Sequence, residues 1–219
     1  LHNVLRSKIL KLFFLGKKVV QLDKGRTEKK ALTSGQLFKQ LKSTHQRYAE
    51  VFESLGYSVD LSNPTFPETV QLSEKLNTFI YNIKLKSIGI APFAAHISKM
   101  YPLAQMEEVI AELSKEYNVI LFGGGDSEVE VLNQLEIRYK NVSSVAGKLR
   151  LEEELSLISN LDLMLSMDSG NAHMAAMLGV KVITIWGVTH PFAGFSPFNQ
   201  PNDYALIADR EKFPLIPTS

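Results

Sequence analysis

The chain contains no cysteine. That absence excludes disulfides, a thiolate zinc site and a cysteine nucleophile, and it fits a reducing compartment without requiring one. No run of 18 or more apolar residues occurs, so no bilayer-spanning helix is expected, and no signal-peptide pattern opens the chain. A G-x-S-x-G elbow is missing, which speaks against a serine hydrolase. No His pair at i, i+4 and no carboxylate cluster offers a metal cage, so no metal is expected. Low-complexity tracts and sequence repeats are absent too.

Net charge is nearly absent, at +1 over 219 residues, but it is unevenly spread. Residues 1–50 hold 12 Lys or Arg against 3 Asp or Glu, and residues 51–219 hold 12 against 20. A basic third of this kind is either a solvated helical face or a surface for anionic lipid, acidic substrate or nucleic acid. Phe13, Phe14, Phe38 and Tyr48 fall there at helix-like spacings that suggest packing more than base stacking, and no groove-reading motif accompanies them. Nucleic acid is therefore not an expected partner.

What is present is enough apolar sequence, 45%, to bury a core in one or two domains. The chain opens on Leu1 and closes on Pro214-Leu215-Ile216-Pro217-Thr218-Ser219 without a capped final element, as a fragment of a longer protein would. Residues 3–14 place Val4, Leu5, Ile9, Leu10, Leu12 and Phe13 among basic residues, the pattern of an amphipathic helix ended by Gly16. Lys18 to Leu22 reads as a strand, and Asp23-Lys24-Gly25-Arg26 as a turn into Thr27 to Leu32. His45 to Leu55, with Tyr48, Val51, Phe52 and Leu55 on one face, reads as a helix closed by Gly56. Pro64 and Pro67 break regular structure, residues 66–86 are ambiguous, and a second domain is expected to start near residue 84. The expected division is thus 1–83 and 84–219.

From there strands and helices alternate. Strands are expected at Ser87 to Ala91, Val119 to Phe122, Val142 to Ala146, Leu161 to Met167 and Val180 to Trp186. Helices are expected at Leu103 to Glu116, Ser127 to Arg138, Glu152 to Ser159 and Ala172 to Leu178. This rhythm implies right-handed crossovers and an α/β fold, a doubly wound Rossmann-like parallel sheet covered on both faces. Ligands of such sheets sit beyond the carboxyl ends of the strands.

The corners at that edge are polar and glycine-rich. Lys99 lies in the loop after the first strand, where an ammonium either neutralises a diphosphate or is simply a surface group. Gly123-Gly124-Gly125 follows the second strand, either as a tight turn or as a backbone approach to a nucleotide, with Glu128 one helical turn on and able to bond ribose hydroxyls. It is neither a G-x-G-x-x-G fingerprint nor a P-loop. Gly147-Lys148 follows the third strand, and Gly187-Val188-Thr189-His190-Pro191 the fifth. After the fourth, Asp168-Ser169-Gly170 leads into a small-residue helix bearing His173. Asp168 or Ser169 there either caps the helix or faces a ligand, and His173 is either a core histidine or a site residue. His96 and His190 read as solvated loop histidines.

Taken in order, S-K-x-x-P, F-G-G-G-x-x-E, A-G-K-x-x-L-x-E, M-D-S-G-x-x-H-x-A-A-x-L-G and W-G-x-T-x-P resemble the bacterial heptosyltransferases, glycosyltransferase family nine. The resemblance is strong over residues 87–198 and looser upstream through Asp23-Lys24-Gly25-Arg26 and the His45 to Gly56 helix. It implies the second of two Rossmann-like domains of a glycosyltransferase B fold, preceded by the tail of the first. It implies ADP-heptose as donor and a lipid-linked lipopolysaccharide core as acceptor, joined by an inverting, metal-independent displacement. Ser98 and Lys99 would then contact diphosphate, Gly123 and Gly124 would border the nucleotide, Glu128 would hold the ribose, and Leu149 would border adenine through its backbone. Asp168 would hold sugar hydroxyls, with Ser169, Gly170 and His173 lining the diphosphate.

Two departures qualify the resemblance. Lys181 stands where family members often carry Pro, and Asn171 and Ala172 where Pro or Leu is frequent. The family's general base, a carboxylate early in the first domain, has no counterpart here. A nucleotide-sugar binding domain without turnover and a sugar-nucleotide epimerase of the same fold therefore stay open beside the transferase. The implied location is cytoplasmic, with peripheral contact between the basic third and an anionic membrane at the inner face of the inner membrane.

Overall fold

The computed structural model describes residues 4–217. Packing groups them into two units, one of residues 4–65, 189–196 and 214–217 and the other of residues 66–188 and 197–213. No helix among the described residues is long and apolar enough to cross a membrane.

The first unit holds three helices. The basic amphipathic segment forms α1 (Leu5–Lys11) and continues as a 3-10 turn, Leu12–Phe14. Its apolar side chains are exposed, Phe13 at 79% and Leu15 at 83%, so the expectation that these aromatics pack does not hold for residues 13 and 14. α2 (Arg26–Thr33) starts from the Asp23-Lys24-Gly25 turn, in which the Asp23 carboxylate accepts from the Gly25 amide at 2.9 Å. Gly25 is left-handed, with φ 58°. α3 (Thr44–Ser54) carries the reciprocal cap its sequence offers, with Ser43 accepting from the Gln46 amide and Gln46 from the Ser43 amide. Arg47 on α3 is 4% exposed and pairs with Glu28 at 2.7 Å and Asp23 at 3.6 Å, which ties α3 to the start of α2. A small core of Leu32, Leu41, Ala193 and Ile216 closes the unit.

In the second unit a short helix, α4 (Glu74–Asn77), precedes the sheet. The alternation then follows as β1 (Ser87–Ala91), α5 (Leu103–Leu113), β2 (Asn118–Leu121), α6 (Asp126–Arg138), β3 (Val142–Ser144) and α7 (Leu151–Ile158). It continues through β4 (Leu163–Met167), α8 (Gly170–Met177), β5 (Val182–Ile185) and β6 (Ala205–Leu206). All strand pairs are parallel, in the order β3-β2-β1-β4-β5-β6. This is a doubly wound α/β sheet whose order reverses between β1 and β4.

Strand pleating sends alternate residues to opposite faces, and two apolar clusters result. Ile88, Ile90, Val119, Leu121, Leu165 and Met167 meet Met106 and Ile110 of α5 and Leu132 and Leu135 of α6. Ile120, Phe122, Met164 and Val182 meet Leu157 and Ile158 of α7 and Ala172, Ala175 and Ala176 of α8. Burying each large side chain of this kind contributes about 1.5–3 kcal/mol. The short side chains of α8 are fully buried, and nothing longer separates that helix from the sheet.

The differences from expectation have physical causes. The sequence places a boundary near residue 84, whereas Leu72, Phe79 and Ile80 pack on the sheet and carry residues 66–83 with the second unit. Residues 18–22 alternate like a strand but form none. A strand exists only through a ladder with a neighbour, and the sheet among the described residues is built by other segments. β6 is two residues long and sits in the short apolar run of residues 204–208, between Asp203 and Asp209, which is too brief to mark a strand without its partner β5.

Candidate functional site

The order of the sheet places the corners. β1 lies between β2 and β4, so the loops following those three strands share the crevice where ligands of open parallel sheets bind. Lys99 closes a 3-10 turn, Ile97–Lys99, in the loop after β1, and Asp168 immediately follows β4. The Lys99 ammonium donates to the Asp168 carboxylate at 2.6 Å, with side-chain exposures of 26% and 9%. The Tyr101 amide donates to the Met167 sulfur at 3.1 Å and fastens the same loop to the end of β4.

The pair also decides how α8 begins. Ser169 occupies the N-cap position with extended backbone, yet no side chain caps the helix. Asp168 is turned to Lys99, and the Ser169 hydroxyl faces the Ser166 hydroxyl at 3.0 Å. The capping alternative for Asp168 and Ser169 is thus set aside. Helix N-termini leave amides without intrahelical partners, and here no side chain is spent on them. Gly170 is exposed, and a Cβ built on it meets nothing within 4 Å, so packing does not demand glycine there.

His173, one turn into α8, is half-buried. Burial holds its imidazole below the ordinary value of 6.5, with Asp168 opposing that shift and Lys99 adding to it. The three side chains therefore form one electrostatic group, a neutral imidazole beside an ion pair.

At the β2 corner the Glu128 carboxylate folds back and accepts from the Gly124 amide at 2.8 Å. Gly123 is packed, since a Cβ on it lies 2.8 Å from Leu132 Cδ1, while Gly124 faces open space. Ser98 is exposed beside Lys99. Leu149, after β3, is partly buried against the α7–α8 cluster, and the neighbouring Lys148 pairs with Glu136 at 2.6 Å. The structure brings Lys99, Asp168 and His173 into contact or electrostatic range, and it places Ser98, Gly123, Gly124, Glu128, Ser169 and Gly170 on the adjoining corners.

His190 is not solvated as expected. It is 4% exposed in the first unit, its Nδ1 accepts from the Phe192 amide at 3.1 Å, and it stacks edge-on with Phe38 and Phe192. No group of three or more His, Cys, Asp or Glu able to hold a metal occurs among the described residues. Met167 and Ser166 read in the sequence only as the end of the fourth strand, with no role of their own; the Tyr101 amide on the Met167 sulfur and the Ser166–Ser169 hydroxyl contact are seen in the structure. The Met167 contact depends on β1 lying beside β4, which the sequence does not show.

The strand order and its polar switch point define a Rossmann-like α/β domain of the doubly wound class. The family model described as glycosyltransferase family 9 (heptosyltransferase) matches residues 1–213, and the chain belongs to that family. It is 26% identical over 145 residues to a lipooligosaccharide heptosyltransferase 2 of Campylobacter jejuni, covering 64% of this chain and 45% of the relative. It is 29% identical over 126 residues to the lipopolysaccharide core heptosyltransferase OpsX of Haemophilus influenzae, covering 56% and 36%. The chain thus spans less than half the length of these relatives. Among solved structures, a glycosyl transferase family 9 protein from Veillonella parvula aligns with a TM-score of 0.64 at 19% identity, over 89% of this chain and 54% of that one. E. coli heptosyltransferase WaaC with ADP aligns with a TM-score of 0.56 at 23% identity, over 75% and 50%. At these identities the likeness shows the fold.

Proposed function

We propose that this chain supplies the donor side of a heptosyltransferase that moves heptose from ADP-heptose to an inner-core lipopolysaccharide acceptor. The observation that carries the reading is the Lys99–Asp168 pair at the switch point, set beside the uncapped start of α8. A diphosphate placed there meets an ammonium and the positive end of a helix dipole, the two features that stabilise charge developing on a departing nucleoside diphosphate. Asp168 then hydrogen-bonds sugar hydroxyls, Ser98, Ser169, Gly170 and His173 line the diphosphate, and Gly123, Gly124 and the Leu149 backbone border the nucleotide. Glu128 exchanges its Gly124 partner for the ribose. The name of the WaaC structure, which includes ADP, and the names of the curated relatives support this choice of donor.

The displacement inverts the anomeric centre and needs no metal, because cationic side chains and backbone amides take over the leaving-group charge. Deprotonating the acceptor hydroxyl requires a base that none of the assigned residues supplies. The protein works in the cytoplasm. The exposed Lys and Arg side chains of residues 4–50 contact the anionic inner face of the membrane that carries the acceptor, an attraction worth about 1 kcal/mol per Lys or Arg near the surface.

The test is product analysis with the full-length protein, ADP-heptose and an inner-core acceptor. A heptosylated product of inverted configuration, formed equally with and without chelator, is expected. Epimerised donor released without acceptor overturns the reading.

A further inference from the structure

Gly187 follows β5, the neighbour of β4, and lies against the Lys99 turn. A Cβ built on it lies 2.6 Å from the Ser98 carbonyl oxygen and 3.0 Å from the Lys99 Cα and carbonyl carbon. Its φ is not in the left-handed region, so backbone conformation does not call for glycine there. Close approach of two backbones does.

We infer that Gly187 is a positioning residue for the diphosphate corner: its missing side chain lets the Ile97–Lys99 turn rest on the end of β5, where the Lys99 ammonium reaches Asp168. This rests on the donor-site reading above and extends it to a third strand end. The turn is fastened to β4 through the Tyr101 amide on Met167 and through the ion pair itself. At the neighbouring strand end it lies directly on Gly187. The two sides of that contact are not equally yielding. The β5 end is held by the Trp186 amide donating to the Leu206 carbonyl at 2.9 Å, with Trp186 and Val188 both buried. The turn is exposed, Ile97 at 86%. A methyl group at position 187 therefore lifts the turn and carries the Lys99 backbone away from β4, while the sheet stays in place.

The experiment uses the full chain as wild type, Gly187→Ala, Lys99→Ala and the double variant. Side-chain nitrogen NMR reports on the Lys99 ammonium without any ligand, its signal being assigned by its loss in Lys99→Ala. The expected result is a shifted or exchange-broadened Lys99 signal in Gly187→Ala with the circular dichroism of the wild type. Titration with ADP then gives an affinity lower by about ten- to a hundredfold in Gly187→Ala, the loss expected when a charged hydrogen bond is misplaced. The double variant binds no more weakly than Lys99→Ala, because position 187 acts through Lys99. An unchanged ammonium signal, additive losses in the double variant, or an unfolded Gly187→Ala each overturn the inference, since relief of the clash needs only an exposed turn to move. Absence of ADP binding in the wild type overturns the donor-site reading instead, while the ammonium signal still decides the role of Gly187.

Discussion

The Lys99 ammonium and the Asp168 carboxylate meet at 2.6 Å across the point where the strand order reverses. The Asp168 side chain is only 9% exposed, and Lys99 is the cation paired with it. Lys99→Ala leaves a nearly buried carboxylate uncompensated and is expected to cost about 1–3 kcal/mol of stability. Urea denaturation measures it. Asp168→Asn, which removes the charge and keeps the shape, costs less. Equal losses in the two variants contradict a charge pair as the cause.

His173 predicts a pH dependence with a definite sign. Burial lowers its pKa from 6.5 in the folded chain. The unfolded chain therefore binds the extra proton first as pH falls, and stability rises with pH wherever that is so. The contribution is complete above about pH 6.5, the unfolded value, and is lost as the pH drops toward the lower folded value. His173→Gln flattens this part of the pH–stability curve. An imidazole titration followed by NMR checks the premise, and a folded pKa at or above 6.5 contradicts it.

Gly170→Ala separates ligand space from packing. Its Cβ meets nothing in the free chain and its φ is ordinary, so the substitution is expected to be neutral or to stabilise by about 0.4–1 kcal/mol. Under the donor-site reading the same methyl group crowds the diphosphate and weakens ADP binding. Thermal denaturation of the variant is therefore unchanged or improved while its ADP affinity falls. A loss of both assigns Gly170 to the fold.

Gly25→Ala tests the joint between α2 and α3. Gly25 is left-handed, and a Cβ there runs into the Arg47 guanidinium, which is buried and paired with Glu28. The substitution is expected to cost more than about 1 kcal/mol, read by urea denaturation.

Much of this was readable in the residues. β1 was placed from Ser87 to Ala91 as observed, because a strand buried on both faces is a bounded apolar run. The polar corners followed from the strands, since ligand edges lie beyond strand ends. What was not readable depends on neighbours. Asp168 offers the same side chain to a helix amide or to an ammonium, and only the adjacency of β1 and β4 chooses between them. Lys18 to Leu22 has strand chemistry without a place in the sheet. Phe79 and Ile80 gave no sign that they pack against the sheet's second apolar cluster. Gly187 looked like any turn glycine until the turn lying on it came into view.

The central claim is that the corner formed by Lys99, Asp168 and the start of α8 receives a nucleoside diphosphate. Isothermal titration of the full chain with ADP tests it most directly, run for wild type and for Lys99→Ala. The account predicts saturable one-site binding by the wild type, weakened by about ten- to a hundredfold in Lys99→Ala, as loss of a charged hydrogen bond implies. Equal affinity in the two proteins, or no heat of binding in the wild type, contradicts it.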